Sequence, residues 1–178
     1  MMHTIRVDRV LRETVNTPYS DLVTRASGAA VRTSLHQAIA ALPGGTAVLD
    51  FSAVGLVDFS CADEVVAKLL LELSENVAVI LGGLREDHSE AIGHVLAGHD
   101  LVVVTQETPG SVPRLLGHVD QDTEDAFESL SRFGPAEPAT LAARLGWEVA
   151  RARISLEALV RLRLAQRDGA AFTSHPIP

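Results

Sequence analysis

The densest group of reactive side chains lies in the stretch "VDFSCADEVV". It holds the carboxylate of Asp58, the hydroxyl of Ser60 and the thiol of Cys61, followed by the carboxylates of Asp63 and Glu64. Three functions use such residues: a phosphorylation switch, a catalytic corner and the N-terminal cap of a helix. An apolar, strand-like run precedes the stretch, so each of these functions would lie where a strand ends and a helix begins.

Capping is the interpretation that we favour for this junction. Ser60 would accept a hydrogen bond from the amide of Asp63, and the Asp63 side chain would reach back to the amide of Ser60, as in a capping box worth about 1 kcal/mol. Phosphorylation of Ser60 is the alternative, since a helix N-terminus stabilises a phosphate. Asp58, Asp63 and Glu64 would surround that phosphate with like charge, and we therefore rank phosphorylation second.

The histidines lack the spacing of a metal site. His88, His94 and His99 fall near one predicted helix, but separations of six and five residues put them on different helix faces. A helical metal site pairs ligands four residues apart. We predict a solvated polar face there, with no metal and no cofactor.

No catalytic arrangement is predicted either. Ser60 lacks the Gly-x-Ser-x-Gly elbow of a hydrolase, and the glycine pair in "LGGLRED" lacks the lysine and hydroxyl of a phosphate loop. Cys61 near a helix start could serve as a redox sensor with a lowered thiol pKa. A lone cysteine among Phe, Ala and Val is more often a small buried hydrophobe, and this is our prediction.

The elements that position these residues alternate between strands and helices over residues 1–108. Apolar runs typical of buried strands are "TAVLD", "NVAVILGGL" and "LVVVTQ", with a weaker first strand in "HTIRVDRVL". The segments between these runs repeat their apolar residues at helical spacing, as in "SGAAVRTSLHQAIAAL". The sequence therefore predicts an α/β domain whose strands are largely buried.

The helix that follows the junction is predicted to be amphipathic. Val65 and Leu69 fall on its apolar face. Glu64, Lys68 and Glu72 recur at four-residue spacing on the other face. We interpret these three residues as a solvated stripe with a favourable Glu-to-Lys pair.

The sequence changes character after the α/β domain. Residues 109–121 contain two prolines and are predicted to form a linker, with a short helix at its end. Residues 122–178 show helical patterns only, interrupted by "PAEPA" and by the turn signal Asp168-Gly169. We predict a small, mostly helical second domain.

The segment "TLAARLGWEVARARISLEALVRLRLAQRDGAAF" resembles a winged helix-turn-helix. Ala142 is small enough for two helices to cross closely, and Gly146 suits a sharp turn. The resemblance implies DNA binding, in which Arg151 and Arg153 would contact bases or phosphates. Arg167, in the wing, would contact a phosphate. Beyond residue 119, seven arginines are outnumbered by nine carboxylates, a weak basic footprint. Protein contacts or dimerisation are therefore the alternative.

The stretch "AVLDFSAVGLVDFSCADEVVAKLL" resembles the second strand and following helix of STAS-type domains, the fold of anti-sigma-factor antagonists. It is similar in particular to a STAS-like α/β family of bacterial proteins. Upstream, "RASGAAVR" is similar to that family's segment before its first helix. The resemblance covers roughly residues 1–108 and implies a STAS-like mixed sheet with helices.

The STAS resemblance also implies where a partner binds. STAS domains act through this corner on anti-sigma factors or kinase-like ATPases, and the residues here are Asp58, Ser60, Asp63 and Glu64. By position, Asp58 corresponds to the aspartate of the phosphorylation motif and Ser60 to its target serine, while Phe59 replaces a serine of that motif.

Composition is typical of a soluble cytoplasmic protein. The 178 residues carry a net charge of −8, which argues against indiscriminate nucleic-acid binding. A single cysteine fits a reducing cytosol, and no apolar run reaches the roughly 18 residues that span a bilayer. Together with the two resemblances, this leads us to expect a non-enzymatic, cytoplasmic bacterial regulatory protein in transcription or signalling control, with homodimerisation left open. The alternatives are a sequence-specific transcription factor with the α/β domain as sensor or dimeriser, and a phosphorylatable anti-sigma-factor antagonist.

Overall fold

Five strands form a mixed sheet in which the order in space is the order in the sequence, β1-β2-β3-β4-β5. The computed structural model describes residues 1–178. Strands β1 to β4 are parallel, and β5 runs antiparallel to β4. The predicted α/β class is therefore confirmed. The strands are β1 Met2–Arg6, β2 Thr46–Asp50, β3 Ala78–Gly82, β4 Val102–Gln106 and β5 Arg114–Gly117.

The connections between the parallel strands are helical. They comprise α1 Val7–Val15 and α2 Arg25–Ala40 between β1 and β2, a helical run over residues 59–72 before β3, and α5 Glu86–Gly98 before β4. Neighbouring parallel strands joined by right-handed crossovers place their helices on one face of the sheet. Alternate strand residues, such as Leu49, Leu81 and Val103, pack with those helices in one hydrophobic core.

The helical run over residues 59–72 contains a π-helical turn. It consists of α3 Phe59–Ala62, the π-helical segment Asp63–Lys68 and α4 Leu69–Glu72. Val65 and Leu69 are fully buried, as the apolar face predicted. A π-helical turn adds a residue to the helical repeat and is frequent at functional sites.

The first strand is shorter than the sequence indicated. "HTIRVDRVL" was predicted as a strand, but β1 ends at Arg6 and α1 begins at the next residue. Val7 and Leu11 are buried at four-residue spacing. The buried Asp8 carboxylate pairs with Arg6 and Arg12, and these contacts favour the helix.

The first compact unit is longer than predicted. It comprises residues 1–118 and 177–178, and the second unit comprises residues 119–176. The range predicted as a linker with a helix instead contains the edge strand β5, whose Arg114 pairs with Thr105 of β4. Leu116 packs against the core, but a strand with two adjacent leucines is too short to show an alternating pattern.

The second unit consists of three helices and a β-hairpin, and the predicted helices are confirmed. Gly146 ends its second helix in the left-handed conformation, with φ 69°, and Gly169 occupies the two-residue hairpin turn with φ 61°. The elements are α6 Gln121–Phe133, α7 Pro138–Leu145, α8 Val149–Arg161, β6 Ala165–Asp168 and β7 Ala171–Ser174.

None of the helices combines the length with the apolar character that crossing a bilayer requires.

Candidate functional site

Asp58 caps the helix at the strand-to-helix corner. Its backbone is extended, and its Oδ1 accepts hydrogen bonds from the Cys61 amide and from the Ser60 hydroxyl, both at 2.8 Å. The predicted capping box of Ser60 and Asp63 is therefore wrong, because the helix begins at Phe59 rather than after Ser60. Asp is as good an N-cap as Ser, and Asp58, two residues before Ser60, takes the position.

The Ser60 hydroxyl is half-buried and already bonded to the cap. Partial burial alone would raise the pKa of Asp58, but hydrogen bonds from the Cys61 amide and the Ser60 hydroxyl hold that pKa below its usual value. A phosphate on Ser60 would lose the bond to Asp58 and stand next to a carboxylate that stays ionised. Phosphorylation of Ser60 stays a prediction, and the loss of this hydrogen bond adds to the like-charge repulsion expected from the sequence.

Glu64 is buried and surrounded by cations. It is only 3 % exposed, and its Oε1 lies 2.8 Å from Arg25 Nη1 and 2.6 Å from Lys68 Nζ. Arg32 Nη1 approaches Oε2 to 2.8 Å, in an ionic rather than a hydrogen-bonded geometry. The predicted Glu64–Lys68 pair is confirmed, and Glu72 is exposed as predicted, but Glu64 itself is buried and not solvated. Burial leaves Glu64 no surface to offer a partner.

Asp63 links the start of the π-helical segment to the C-terminal end of α5. Its carboxylate lies 3.0 Å from Arg25 Nη1 and 2.8 Å from His99 Nε2. Burial would raise the pKa of Asp63, but the contacts with Arg25 and His99 lower it. Asp63 is therefore a charged member of the Glu64 cluster and not part of the cap.

Gly28 allows α2 to approach this cluster. A Cβ at position 28 would lie 3.1 Å from the Cα of Cys61 and 3.1 Å from the Cβ of Glu64. Arg25 and Arg32 flank Gly28 at helical spacing, so both guanidinium groups reach Glu64 from the same helix. The sequence analysis missed this role, although the i, i+3, i+7 spacing of Arg, Gly and Arg in "RASGAAVR" is a signal for it.

Cys61 is a buried, unreactive thiol. It is 0 % exposed, and its Sγ lies 2.9 Å from the carbonyl oxygen of Thr24. Burial raises the pKa of the thiol to about 12, so the nucleophilic thiolate is scarce at neutral pH. The prediction of a small buried hydrophobe is confirmed, and the geometry disfavours a redox sensor.

The start of α5 holds the loop that leads to the corner. Arg85 donates to the carbonyl oxygens of Val54 and Gly55 at 3.1 and 3.0 Å. His88 Nε2 lies 2.6 Å from the Gly55 oxygen, while its Nδ1 accepts from the Arg85 amide at 3.3 Å. These partners require a neutral imidazole with the proton on Nε2. His88 is 0 % exposed, so its assignment to a solvated polar face was wrong.

Large apolar side chains are exposed at the same corner. Leu56 and Phe59, on either side of Asp58, are 59 % and 55 % exposed. Tyr19 and Val23 are also exposed, and the segment that carries them runs beside this loop through hydrogen bonds of Leu22 and Gly55. Sequence reasoning missed this patch, because an apolar residue in a strand or helix pattern is normally assigned to the core.

The other histidines make separate contacts. The His94 ring lies 5.0 Å from the Phe59 ring, centroid to centroid, and His99 pairs with Asp63. The structure contains no group of three or more His, Cys, Asp or Glu side chains arranged to hold a metal ion.

A cavity of about 490 Å³ lies at the carboxyl ends of β3 and β4, and Arg85, which holds the corner loop, lines one of its walls. Its walls carry side chains of both charges, including Glu86, Glu107 and Arg114, and three hydroxyl groups. None of those hydroxyl groups is hydrogen-bonded to a carboxylate or an imidazole, the pairing that activates a serine or threonine nucleophile.

The arginines predicted to contact DNA differ in their availability. Arg151 makes two 2.7 Å hydrogen bonds to Asp122, and its guanidinium lies 4.3 Å from the Trp147 ring centroid. Arg167 donates to the carbonyl oxygen of Gly169 at 3.0 Å. Arg153 is exposed and has no such partner. The structure thus holds Arg151 in an ion pair and leaves Arg153 and Arg167 exposed.

Comparison with known proteins finds no match to this chain among family models, curated proteins or solved structures. The STAS-like and winged-helix resemblances therefore rest on residues of the chain itself.

Proposed function

We propose that the chain is a non-enzymatic regulatory protein whose first unit binds a partner protein at the corner described above. The corner surface is defined here as Leu56, Asp58, Phe59 and Ser60 together with Tyr19. The observation that carries the proposal is the exposure of Leu56 and Phe59 next to the capped helix start. Exposed apolar side chains grouped within a polar rim mark interaction sites.

The corner surface is well ordered before any partner arrives. Asp58 fixes the start of the helix that carries Phe59, and Arg85 and His88 fix the loop that carries Leu56. A surface held in this way loses little conformational entropy when it is bound. Aromatic anchors such as Phe59 and Tyr19 are typical of interface hot spots.

Asp58 is the carboxylate of the corner that forms no ion pair, and it favours a basic group on the partner. Asp58 and Asp63 stay ionised because their pKa values are lowered. Glu64 is buried and paired with Arg25, Arg32 and Lys68, so it is not part of the contact surface. The STAS resemblance suggests an anti-sigma factor or a kinase-like ATPase as the partner, which is compatible with an apolar contact flanked by carboxylates.

A DNA-binding second unit is the other candidate function. It is favoured by the order of α7, a glycine turn, α8 and a hairpin, as in a winged helix-turn-helix. Selection from random DNA at low salt tests it. Enrichment that disappears with Arg153→Ala would support it, and no enrichment would contradict it.

Affinity purification from the organism that encodes the chain tests the partner-binding proposal. The wild type is compared with Phe59→Glu and with the matched control Leu71→Glu, which changes a residue that is 52 % exposed on α4. We expect one protein to be retained by the wild type and the control and lost with Phe59→Glu, and the same order of affinities when that protein is purified and titrated. Equal binding by all three chains would overturn the proposal.

A further inference from the structure

The outward face of α8 carries an apolar ridge. Ala152, Ser155, Leu156 and Leu159 are buried and define the inward face. At 3.6 residues per turn, Ala150, Ile154 and Ala158 follow one another along the side of the helix away from these residues, where Ala150 and Ile154 are exposed and Ala158 is partly buried. We call these three residues the α8 ridge. Ile154 at its centre is 65 % exposed. The small alanines on either side would allow another helix to approach closely.

One cation and one anion border the α8 ridge on the same side. Arg153 and Glu157 are exposed and four residues apart, yet they form no ion pair with each other or with another residue. Arg151, on the opposite side, is held by Asp122. The available charges beside the ridge are therefore balanced, whereas a surface for nucleic acid would need an excess of cations.

We propose that the α8 ridge is a docking surface for a second copy of this chain. A two-fold axis through Ile154 would pack two α8 helices antiparallel, with Ile154 against the partner subunit's Ile154. This axis places the same flank of the two ridges next to each other. Arg153 is thereby brought beside the partner subunit's Glu157, and Glu157 beside the partner subunit's Arg153. A self-complementary patch of this kind is what an isologous interface requires.

The charges at the two ends of α8 are also complementary in this antiparallel arrangement. Arg161 stands at the C-terminal end of the helix and Glu148 at its N-cap, and both are exposed. An antiparallel pair brings these oppositely charged ends together. One helix face buries less than the roughly 1,200 Å² of a standard interface, so the dimer should dissociate on dilution. The inference does not depend on the partner of the corner surface.

Sedimentation of the purified full chain over a wide range of concentrations tests the proposal. We expect a monomer–dimer equilibrium that Ile154→Glu abolishes and that Val149→Glu leaves unchanged. Val149 is a matched control because it is 44 % exposed on α8 but lies off the ridge. Circular dichroism of each variant verifies that the helices are retained.

A charge exchange provides the sharper test. Arg153→Glu and Glu157→Arg should each weaken dimerisation at least tenfold, and the double variant should restore it, because each reversed pair again joins opposite charges. A wild type that stays monomeric, a dimer that tolerates Ile154→Glu, or a double variant that fails to recover would each overturn the proposal. So would a monomeric chain whose Arg153→Glu variant loses binding to selected DNA.

Discussion

Gly28 of α2 faces Glu64 of the π-helical segment so closely that a Cβ at position 28 would lie 3.1 Å from the Glu64 Cβ. The crossing puts two arginines of α2 over a buried carboxylate. The two segments that carry the STAS resemblance therefore pack directly against each other.

Replacing Gly28 by Ala should destabilise the protein. Alanine gains up to about 1 kcal/mol of helix propensity, but overpacking against the Cys61 backbone costs about 1–3 kcal/mol, so we expect a net loss of about 1 kcal/mol. Urea denaturation measures it. Gly98→Ala is the control, because nothing lies within 4 Å of its Cβ position, and it should be neutral or stabilising. Equal stability of both variants would contradict the close crossing.

Glu64→Gln should destabilise the protein by roughly 2 kcal/mol. Removing one partner of a buried ion pair costs about 3–5 kcal/mol, and the partial exposure of Arg25 and Lys68 reduces that cost. Urea denaturation at neutral pH provides the measurement. Glu72→Gln is the matched control, since Glu72 is 46 % exposed and 3.6 Å from Arg32, and it should change stability by less than about 0.5 kcal/mol.

Glu64 should also make stability depend on pH. Burial would raise its pKa, but Lys68 and Arg25 hold it below the ordinary 4.5. In the folded state the group therefore binds its proton only at lower pH than in the unfolded state. The stabilisation is complete above about pH 4.5 and decreases as the pH falls through the folded pKa. The acid limb of the stability curve should be shallower in Glu64→Gln than in the wild type, and parallel curves would refute this.

Asp58→Ala should cost about 1 kcal/mol, the usual loss for an N-cap, while Asp58→Asn should retain most of the stability. Ser60→Ala keeps the Asp58 bond to the Cys61 amide and should cost less than Asp58→Ala. Thermal or urea unfolding ranks the three variants. The opposite order, with Ser60→Ala the most damaging, would restore Ser60 as the cap.

His88→Ala should loosen the loop before the corner. Its Nε2 bond to the Gly55 oxygen would be lost, so the amides of residues 52–57 should exchange hydrogen faster than in the wild type. Hydrogen-exchange mass spectrometry measures this. The exposed His118 supplies the control variant His118→Ala, which should leave exchange in that loop unchanged.

Sequence periodicity predicted most strands and helices, because buried strands are apolar and helices repeat their apolar residues. It placed Glu64 in solvent for two physical reasons. The assignment assumed a regular α-helix, whereas residues 63–68 form a π-helical turn. Periodicity also describes a helix alone and cannot register that α2 covers its polar side at Gly28. His88 was misplaced likewise, since its partners are carbonyl oxygens of a loop.

The strand-to-helix junction lies where the sequence predicted it, and the partner-binding role of its residues stays a prediction. Asp58 and Ser60 are there, whereas Glu64 is buried and Leu56 and Phe59 are exposed. The pattern of apolar residues shows which side chains favour burial, and it does not show which ones remain without cover once the chain has folded.

The buried thiol under the Gly28 crossing has a further consequence. Cys61 is the chain's only cysteine, and it can meet a thiol reagent only when α2 lifts away from it. The rate at which a thiol reagent labels the wild-type protein therefore measures how often α2 opens, with no engineered cysteine. If a bound partner slows that labelling, the corner and the crossing open together; if labelling is unchanged, they move independently.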